Sequence, residues 1–568
     1  MASFLIIGAG VFGASTALHL KKHFPNAAVT ILERSQQTSP APDAASSDLN
    51  KIIRADYADD AFRRLAVEAI AQWRTDERLR PFYHEVGLLL HSLPYPSTAA
   101  GSGLDAAWAT ARKGVEGAER VAKDGQQHAM SSGGPSEDGL PPLAHLCKTQ
   151  ADLNKAIPQK ARGSLGDGLK AIGGQLDFVT TDAPATSNGA LEASTAAAYC
   201  NPRAGWAEAK EATCAVLAHA VELGVRIESG AEVVELLTVE DVDGGCGRSL
   251  VRGVKTADGR QFEIDPSSGA VFLCGGSWTP SLLQSLIPSS PTSIVSPPPV
   301  VFSAQTVLIV EIPEDVALRH ANIPVVLNFD TGFYSFEPRR MIVNEEDGIG
   351  APRWLVKCAI HDRGYQAPLP PSSSGCAPHH SASGAGPPVY PGFDSAFANG
   401  DALTRSELAS TSARKYIPTD HDERMLRALR SVWPEIADKG KVYQSRICWY
   451  AETTDENWLI DAHPSCSNLI VASGDSGHGF KFLPTIGALI AARLPDSIRP
   501  TTLPPLDEHW KRVFSWAHHL ERFHATRTKH MQGEPVRWAE WKPDRDSASK
   551  VVGLDGGHDE GQDVSRGL

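Results

Sequence analysis

The stretch "FLIIGAGVFG", Phe4 to Gly13, decides how the rest of the chain is read. A short unbroken apolar run fits a buried strand, and Gly8, Gly10 and Gly13 follow it as G-x-G-x-x-G. Such glycines allow a tight turn, close approach of the backbone to a pyrophosphate, and close packing of helix on strand. "VFGASTALHLKKHF" reads as the helix, opened by Val11 and Phe12, and "AAVTILER" as the second strand. Glu33 ends that strand 20 residues past Gly13, where a carboxylate can accept from a ribose hydroxyl. Strand, glycine turn, helix and strand make a βαβ unit that binds a dinucleotide. Nicotinamide and flavin dinucleotides share this spacing.

Composition sets outer bounds. The chain has 568 residues, 42% hydrophobic and 21% charged, which suits two domains with insertions. A net charge of -13 with no Lys/Arg run speaks against nucleic acid and anionic membrane as partners. No apolar run reaches the length of a membrane span. Nine dispersed cysteines without a C-x-x-C pair argue against a zinc site or a redox dithiol and suit a reducing compartment. The final "SRGL" is not an S-K-L peroxisomal ending, so the cytosol is the expected location, with the peroxisome open.

Further along, "AEAKEATCAVLAHAVELG" reads as a helix, "VRIESGAEVVELL" as strand-like, and "GAVFLCGGSW" as a buried strand ending in glycines. "NLIVASGDSGHGFKFLPTIGALIAARL" repeats strand, glycine loop and helix, while "TVLIVEI" and "RWLVKCAIHD" suggest a second sheet. The expected organisation is α/β plus α+β. A Rossmann-like domain over 1–60, 198–290 and 440–500 is interleaved with a mixed-sheet domain over 61–96 and 300–439. Residues 97–197 and 367–392, rich in Ala, Gly, Ser and Pro, read as low-complexity insertions, and 545–568 as a disordered tail.

Three motifs then occur in order: "ASSDLNKIIRADYAD", "CWYAETTDENWLID" and "SGHGFKFLPTIG". In that order the chain resembles the sarcosine oxidase branch of the D-amino-acid-oxidase-like flavoproteins. That branch includes monomeric sarcosine and N-methyltryptophan oxidases, pipecolate and saccharopine oxidases, and fructosyl amino acid oxidases (amadoriases). The likeness covers most of residues 1–95 and 198–495. It implies a glutathione-reductase-type FAD-binding domain, a monomer, an amino acid-type amine as substrate and dioxygen as acceptor.

The resemblance also assigns residues. Cys448 matches the cysteine bonded through sulfur to the flavin 8α-methyl. Its thiolate needs a nearby cation, and Arg446 is a candidate for it. Lys357 matches the lysine near flavin N5 that activates dioxygen, and His361 the histidine that orients the amine. Arg54 and Lys481 match the basic pair that holds a substrate carboxylate, a fork and a point charge. Lys51 stands where sarcosine oxidases usually carry arginine beside the isoalloxazine. Tyr334 and Tyr450 match aromatic positions of the pocket. Ser47, Asn50, Gly276, Gly477, Gly479, Phe480 and Lys481 are assigned to the cofactor, and Val233 to an adenine contact through its backbone. The loop around Gly474, Gly477 and Gly479 is expected to aim N–H groups and a helix dipole at the flavin pyrimidine.

The motifs divide over the substrate. "DLNKI", "FEP" and Glu337 are similar to amadoriases, whereas His361 and Tyr450 follow the sarcosine oxidase pattern. Oxidation of a secondary-amine amino acid, N-alkyl or cyclic, is the expected reaction, yielding hydrogen peroxide. A glycated amino acid, or a tailoring step on a secondary metabolite, is the alternative. An NAD(P)-dependent dehydrogenase is the remaining competitor.

Overall fold

The computed structural model describes residues 2–36, 40–57, 59–92, 145–147, 150–166, 169, 197–241, 248–287, 299–328, 331–342, 352–361, 416–418, 421–522 and 538–540. The insertion at 367–392 and the tail at 545–568 lie outside them.

The opening motif folds as strand β1 (Ser3–Ile7), helix α1 (Val11–His23) and strand β2 (Ala28–Glu33). β1 pairs in parallel with both β2 and Gly269–Leu273, and Val225–Ser229 and Cys466–Ser473 extend this sheet at its two sides, again in parallel. Parallel strands covered on both faces are apolar throughout, and Gly269–Leu273 is buried at every position. On one face, α1 and the helix Ala209–Glu222 pack through Ala14, Leu18, Ala212 and Val216 against Phe4, Ile6 and Ile31. Over the other lies a meander of Val233–Glu240, Ser249–Thr256 and Gln261–Glu263. Its Val233, Leu236, Val251 and Val254 meet Leu5, Ile7, Leu32 and Val271.

Two glycines make the turn feasible. Gly8 adopts φ +101°, and a Cβ there would lie 2.6 Å from the carbonyl oxygen of Cys274. A Cβ on Gly13 would collide with the carbonyl of Gly8.

The second sheet is mixed. Its strands run in the order Lys441–Glu452, Val301–Ile312, Pro352–Ile360, Phe333–Ser335, Val325–Asn328, Leu88–Ser92, Ala197–Asn201, His145–Cys147. Lys441–Glu452, expected with the nucleotide domain, instead pairs antiparallel along the length of Val301–Ile312. Ala197–Asn201 likewise joins Leu88–Ser92. Strand alternation gives this sheet two faces. Leu308, Val310, Val356 and Cys358 point into a core lined by helices, whereas Val307, Ile309, Leu355 and Ala359 share the other face with Tyr334, Cys448 and Tyr450.

The sequence reading of 97–197 as insertion needs correction where it is described. The helix Gln150–Ala156 and the 3-10 turns Gln159–Ser164 place Leu153, Ile157, Ala161 and Leu165 in the helix-lined core with Met425, Leu429 and Trp433. Low local complexity hid an amphipathic spacing of four residues, which the fold uses. Among the described residues, no helix is long and apolar enough to cross a membrane.

Replacing Leu153, fully buried, with Ala should lower the unfolding free energy by about 2–5 kcal/mol. Denaturant titration checks this, since a surface insertion would move it by no more than about 0.5 kcal/mol.

Candidate active site

The site grows from the register of the second sheet. Val307 faces both Ala359 and Arg446, Ile309 faces Lys357, Gln305 faces Cys448, Ser303 faces Tyr450, and Tyr334 faces Ala359. Directly opposed residues share a face. Lys357, Arg446, Cys448, Tyr450 and Tyr334, distant in sequence, therefore project to one side. The phenols of Tyr334 and Tyr450 are hydrogen-bonded to each other. Burial pushes the Tyr334 phenol up to about 12.

Against this face lies the segment leading into Lys51–Ile53, a strand paired with Gly205–Ala207. Asp48 is buried there and is the hub of the polar contacts. Its Oδ2 takes Lys357 Nζ at 2.5 Å and Lys51 Nζ at 2.9 Å, and its Oδ1 pairs with Arg446. Lys357 also donates to the Asn50 carbonyl at 2.7 Å. Burial alone would raise the Asp48 carboxyl, but Arg446, Lys357 and Lys51 outweigh it and hold it well below the usual carboxylate range. Burial pushes the Lys357 ammonium down to about 7 against the pull of Asp48. One carboxylate thus faces three basic groups, leaving a local positive excess.

Lys51 Nζ also lies 3.4 Å from Cys448 Sγ. The cation beside the thiol is Lys51, which corrects the expectation for Arg446. Strand alternation carries the Arg446 side chain to the same face, where its guanidinium pairs with Asp48.

A second cluster joins chain segments far apart in sequence. Lys481 is buried, and its Nζ donates to Tyr57 Oη and to the His478 carbonyl, each at 2.8 Å. Tyr57 Oη lies 3.0 Å from His478 Nδ1, and His478 Nε2 lies 2.8 Å from the Glu456 carbonyl. A carbonyl only accepts, so Nε2 carries the proton. Nδ1 then accepts from Tyr57 O–H, and the Tyr57 oxygen accepts from Lys481. Arg54 lies over the Tyr57 ring at 5.6 Å and donates to the Asp56 carbonyl. Neither Arg54 nor Lys481 forms an ion pair with a described carboxylate. Burial, with Arg54 adding to it, holds the Lys481 ammonium well below its usual range. His361 closes this side: its ring is 5.6 Å from Tyr450, and Gly477 fits between them, where a Cβ would lie 2.5–2.6 Å from both rings.

Set beside known proteins, residues 3–493 match the family model described as FAD dependent oxidoreductase. The chain belongs to the FAD-dependent oxidoreductase family. L-Saccharopine oxidase of Schizosaccharomyces pombe is 24% identical over 519 residues, 90% of this chain and 92% of that protein. Monomeric sarcosine oxidase of a Bacillus species is 37% identical over 81 residues, 14% of this chain and 20% of that one. Among solved structures, amadoriase I of Aspergillus fumigatus superposes with a TM-score of 0.60 over 94% of both chains at 22% identity, a likeness of fold.

The oxidoreductase has residues that fit FAD. Ser46 Oγ and both polar atoms of the Asn50 amide are buried without a hydrogen-bond partner among the described residues, a state that calls for a ligand. Ser46 Oγ lies 3.9 Å from where a Cβ on Gly10 would be, beside the phosphate-type turn. Ser47, the residue expected from sequence, is turned away and donates to the Ala41 carbonyl at 2.6 Å. Glu33 accepts from the Ala9 and Ser35 amides at 3.1 and 3.0 Å, and each carboxylate oxygen keeps a second lone pair for a ribose. Burial raises its carboxyl above the usual value. Val233 lies two residues past Ala231, whose amide, like that of Gly230, bonds back to the Glu33–Ser35 segment. A Cβ on Gly276, at φ +51°, would have open space.

Glu337 holds two neighbours: Trp206 Nε1 donates to one oxygen at 2.9 Å and the Asn322 amide to the other at 2.6 Å. Two other expectations change. Phe480 packs on Trp73 in the first core. No long helix follows the last glycine loop. One 3-10 turn, Phe480–Phe482, precedes the six-residue helix Ile486–Ala491, because Pro484 interrupts the run. The Gly477 amide is held by Asp475, a carboxylate that burial raises to about 6. Gly479 instead presses on Phe12, whose Cε1 a Cβ there would meet at 3.1 Å.

Sequence reading missed Asp48, Tyr57, Asp475 and Ser46. Asp48 and Tyr57 lay inside a quoted motif, but nothing local marked them as partners of residues about three to four hundred positions away.

Asp48→Asn should lower the unfolding free energy by about 3–5 kcal/mol near neutral pH, because it leaves buried cations uncompensated. Adding Lys357→Met should recover part of that loss, because it removes one of them. A double-mutant cycle in denaturant reads the coupling, and strict additivity would deny it.

Proposed function

We propose that the chain is an oxidase of a secondary-amine amino acid, N-alkyl or cyclic, with dioxygen as acceptor and hydrogen peroxide as product. The observation that carries this reading is the meeting of Arg54 and Lys481, two basic side chains without a carboxylate partner among the described residues. They stand within electrostatic reach of each other, beside His478, Gly477 and the His361–Tyr450 pair. A substrate carboxylate supplies the missing counter-charge, with a charge-assisted bond to each.

When bound, FAD accepts the hydride equivalent from the carbon beside nitrogen and hands two electrons to dioxygen. The remaining work belongs to the side chains. Arg54 and Lys481 fix the acid end and so orient the amine, which supplies much of the rate effect. His361 and Tyr450 border the amine end. Lys357, held by Asp48 and the Asn50 carbonyl, keeps a donor in a dry setting where charge develops during oxygen reduction. Lys51 and Arg446 add positive potential to the same place.

Cys448 is the proposed covalent attachment point for the flavin. Its support is the buried Sγ with Lys51 Nζ at 3.4 Å. The glycated-amino-acid alternative rests on Glu337, which accepts from Trp206 Nε1 and the Asn322 amide; the secondary-amine reading rests on Arg54 and Lys481 standing beside the His361–Tyr450 pair.

A panel of N-methyl, cyclic and glycated amino acids assayed for peroxide tests the reaction class. Arg54→Ala should raise the KM for the responding acid about ten- to a hundredfold, as expected for a charge-assisted pair of about 1.5–3 kcal/mol. It should leave the KM of the corresponding amide unchanged, and equal weakening of both would remove the carboxylate reading. Acid-precipitated wild-type protein should stay yellow, and Cys448→Ala should release the colour. Complete release from the wild type would rule out the tether while leaving the oxidase reading in place.

A further inference from the structure

Lys481 is a buried amine whose surroundings suit its neutral form. A neutral amine has two N–H groups and one lone pair, and among the described residues Nζ has two acceptors, Tyr57 Oη and the His478 carbonyl. An ammonium would have a third N–H to place. Tyr57 cannot donate in return, because its proton is directed at His478 Nδ1 and that nitrogen is bare. The lone pair of Nζ is therefore turned away from both acceptors.

Burial and the charge of Arg54 oppose a positive charge on Nζ, and Asp475 and Asp56 favour it without outweighing them. Asp56 takes the Asn201 amide at 3.0 and 3.1 Å, and Asp475 takes the amides of Ala451 and Gly477. Neither carboxylate forms an ion pair with Lys481, and His478 is neutral in the tautomer its carbonyl partner requires. The backbone at Lys481 is itself fixed, since Trp73 Nε1 donates to its carbonyl at 2.8 Å.

We propose that Lys481 is the base that takes the proton from the substrate's secondary ammonium. This rests on the carboxylate clamp proposed above. The amino acid enters as a zwitterion. One N–H bond of its ammonium breaks and one N–H bond forms on Nζ. No electrons move, and the positive charge passes from the substrate nitrogen to Lys481. There it pairs with the carboxylate of the same substrate, and the amine is left neutral, the form able to give up hydride. No proton need leave the site, because the substrate brings the one that charges its own anchor.

Methoxyacetate and tetrahydrofuran-2-carboxylate test this as probes. They carry the carboxylate but an ether oxygen in place of nitrogen, so they bring no proton. At about pH 8, above the value of about 7 to which burial pushes Lys357, their binding to the holoenzyme should draw about one proton from solution through Lys481. Calorimetry in buffers of different ionisation enthalpy reads that number. Lys481→Arg keeps a cation but cannot lose its proton. It should bind the probes with no proton uptake, and its kcat/KM should rise tenfold per pH unit until the free amine deprotonates in solution. Wild-type binding without proton uptake overturns the proposal, and so does a full proton taken up by Lys481→Arg.

A second measurement needs no ligand. A lysine whose folded pKa is depressed binds its proton more readily in the unfolded chain, so stability rises with pH between the folded value and about 10.4. Relative to Lys481→Met, the wild-type unfolding constant should fall by up to tenfold per pH unit in that window. Parallel stability curves would show a resting ammonium and overturn the proposal. Failure of both probes to bind would count against the clamp alone, and the stability curves would still decide the state of Lys481.

Discussion

The carboxylate of Asp48 accepts from Lys357, Lys51 and Arg446 at once, and the two halves of the molecule meet at that contact. Lys357 and Arg446 come from the mixed sheet, whereas Asp48 and Lys51 come from the segment that leaves the nucleotide-type unit. Burying charges is unfavourable unless they are paired and hydrogen-bonded, so this arrangement specifies one relative position of the two parts. It also leaves more positive than negative charge in a dry interior. That excess suits a flavin that becomes anionic on reduction and oxygen that becomes anionic on receiving electrons.

The two buried lysines have opposite settings. Lys357 has a carboxylate at 2.5 Å and a carbonyl at 2.7 Å, which oppose the loss of its charge. Among the described residues Lys481 has a phenol and a carbonyl as acceptors, with Arg54 opposing its charge and Asp475 and Asp56 acting on it without an ion pair. Equal burial therefore has different consequences, because the partner decides how much of the desolvation penalty is returned. Lys357 has a carboxylate partner for its charge, and Lys481 is the lysine proposed to acquire a charge with the substrate.

Glycine defines the remaining geometry where backbones crowd. Gly8 and Gly13 let α1 press against β1 and the second glycine turn at Cys274–Gly276. Gly477 lets a loop from the end of the chain pass between His361 and Tyr450. A methyl group at any of these positions would separate surfaces on which the cofactor turn or the substrate side depends.

The sequence by itself determined the local units. The βαβ unit, the glycine turns and the alternating strands around Lys357 and Cys448 follow from periodicity and from conformations open to glycine, which involve neighbours along the chain. The resemblance carried by three motifs also pointed to the family matched over residues 3–493. Tertiary structure decided which polar atoms meet. It put Lys51 rather than Arg446 beside Cys448, Ser46 rather than Ser47 beside the phosphate-type turn, and Glu337 against Trp206. It folded 150–165 into a core where composition suggested an insertion. Each of these outcomes depends on strand register or on packing between segments distant in sequence. A shift of one residue in register exchanges the two faces of a strand, and nothing in the neighbouring sequence reports which partner lies across the sheet.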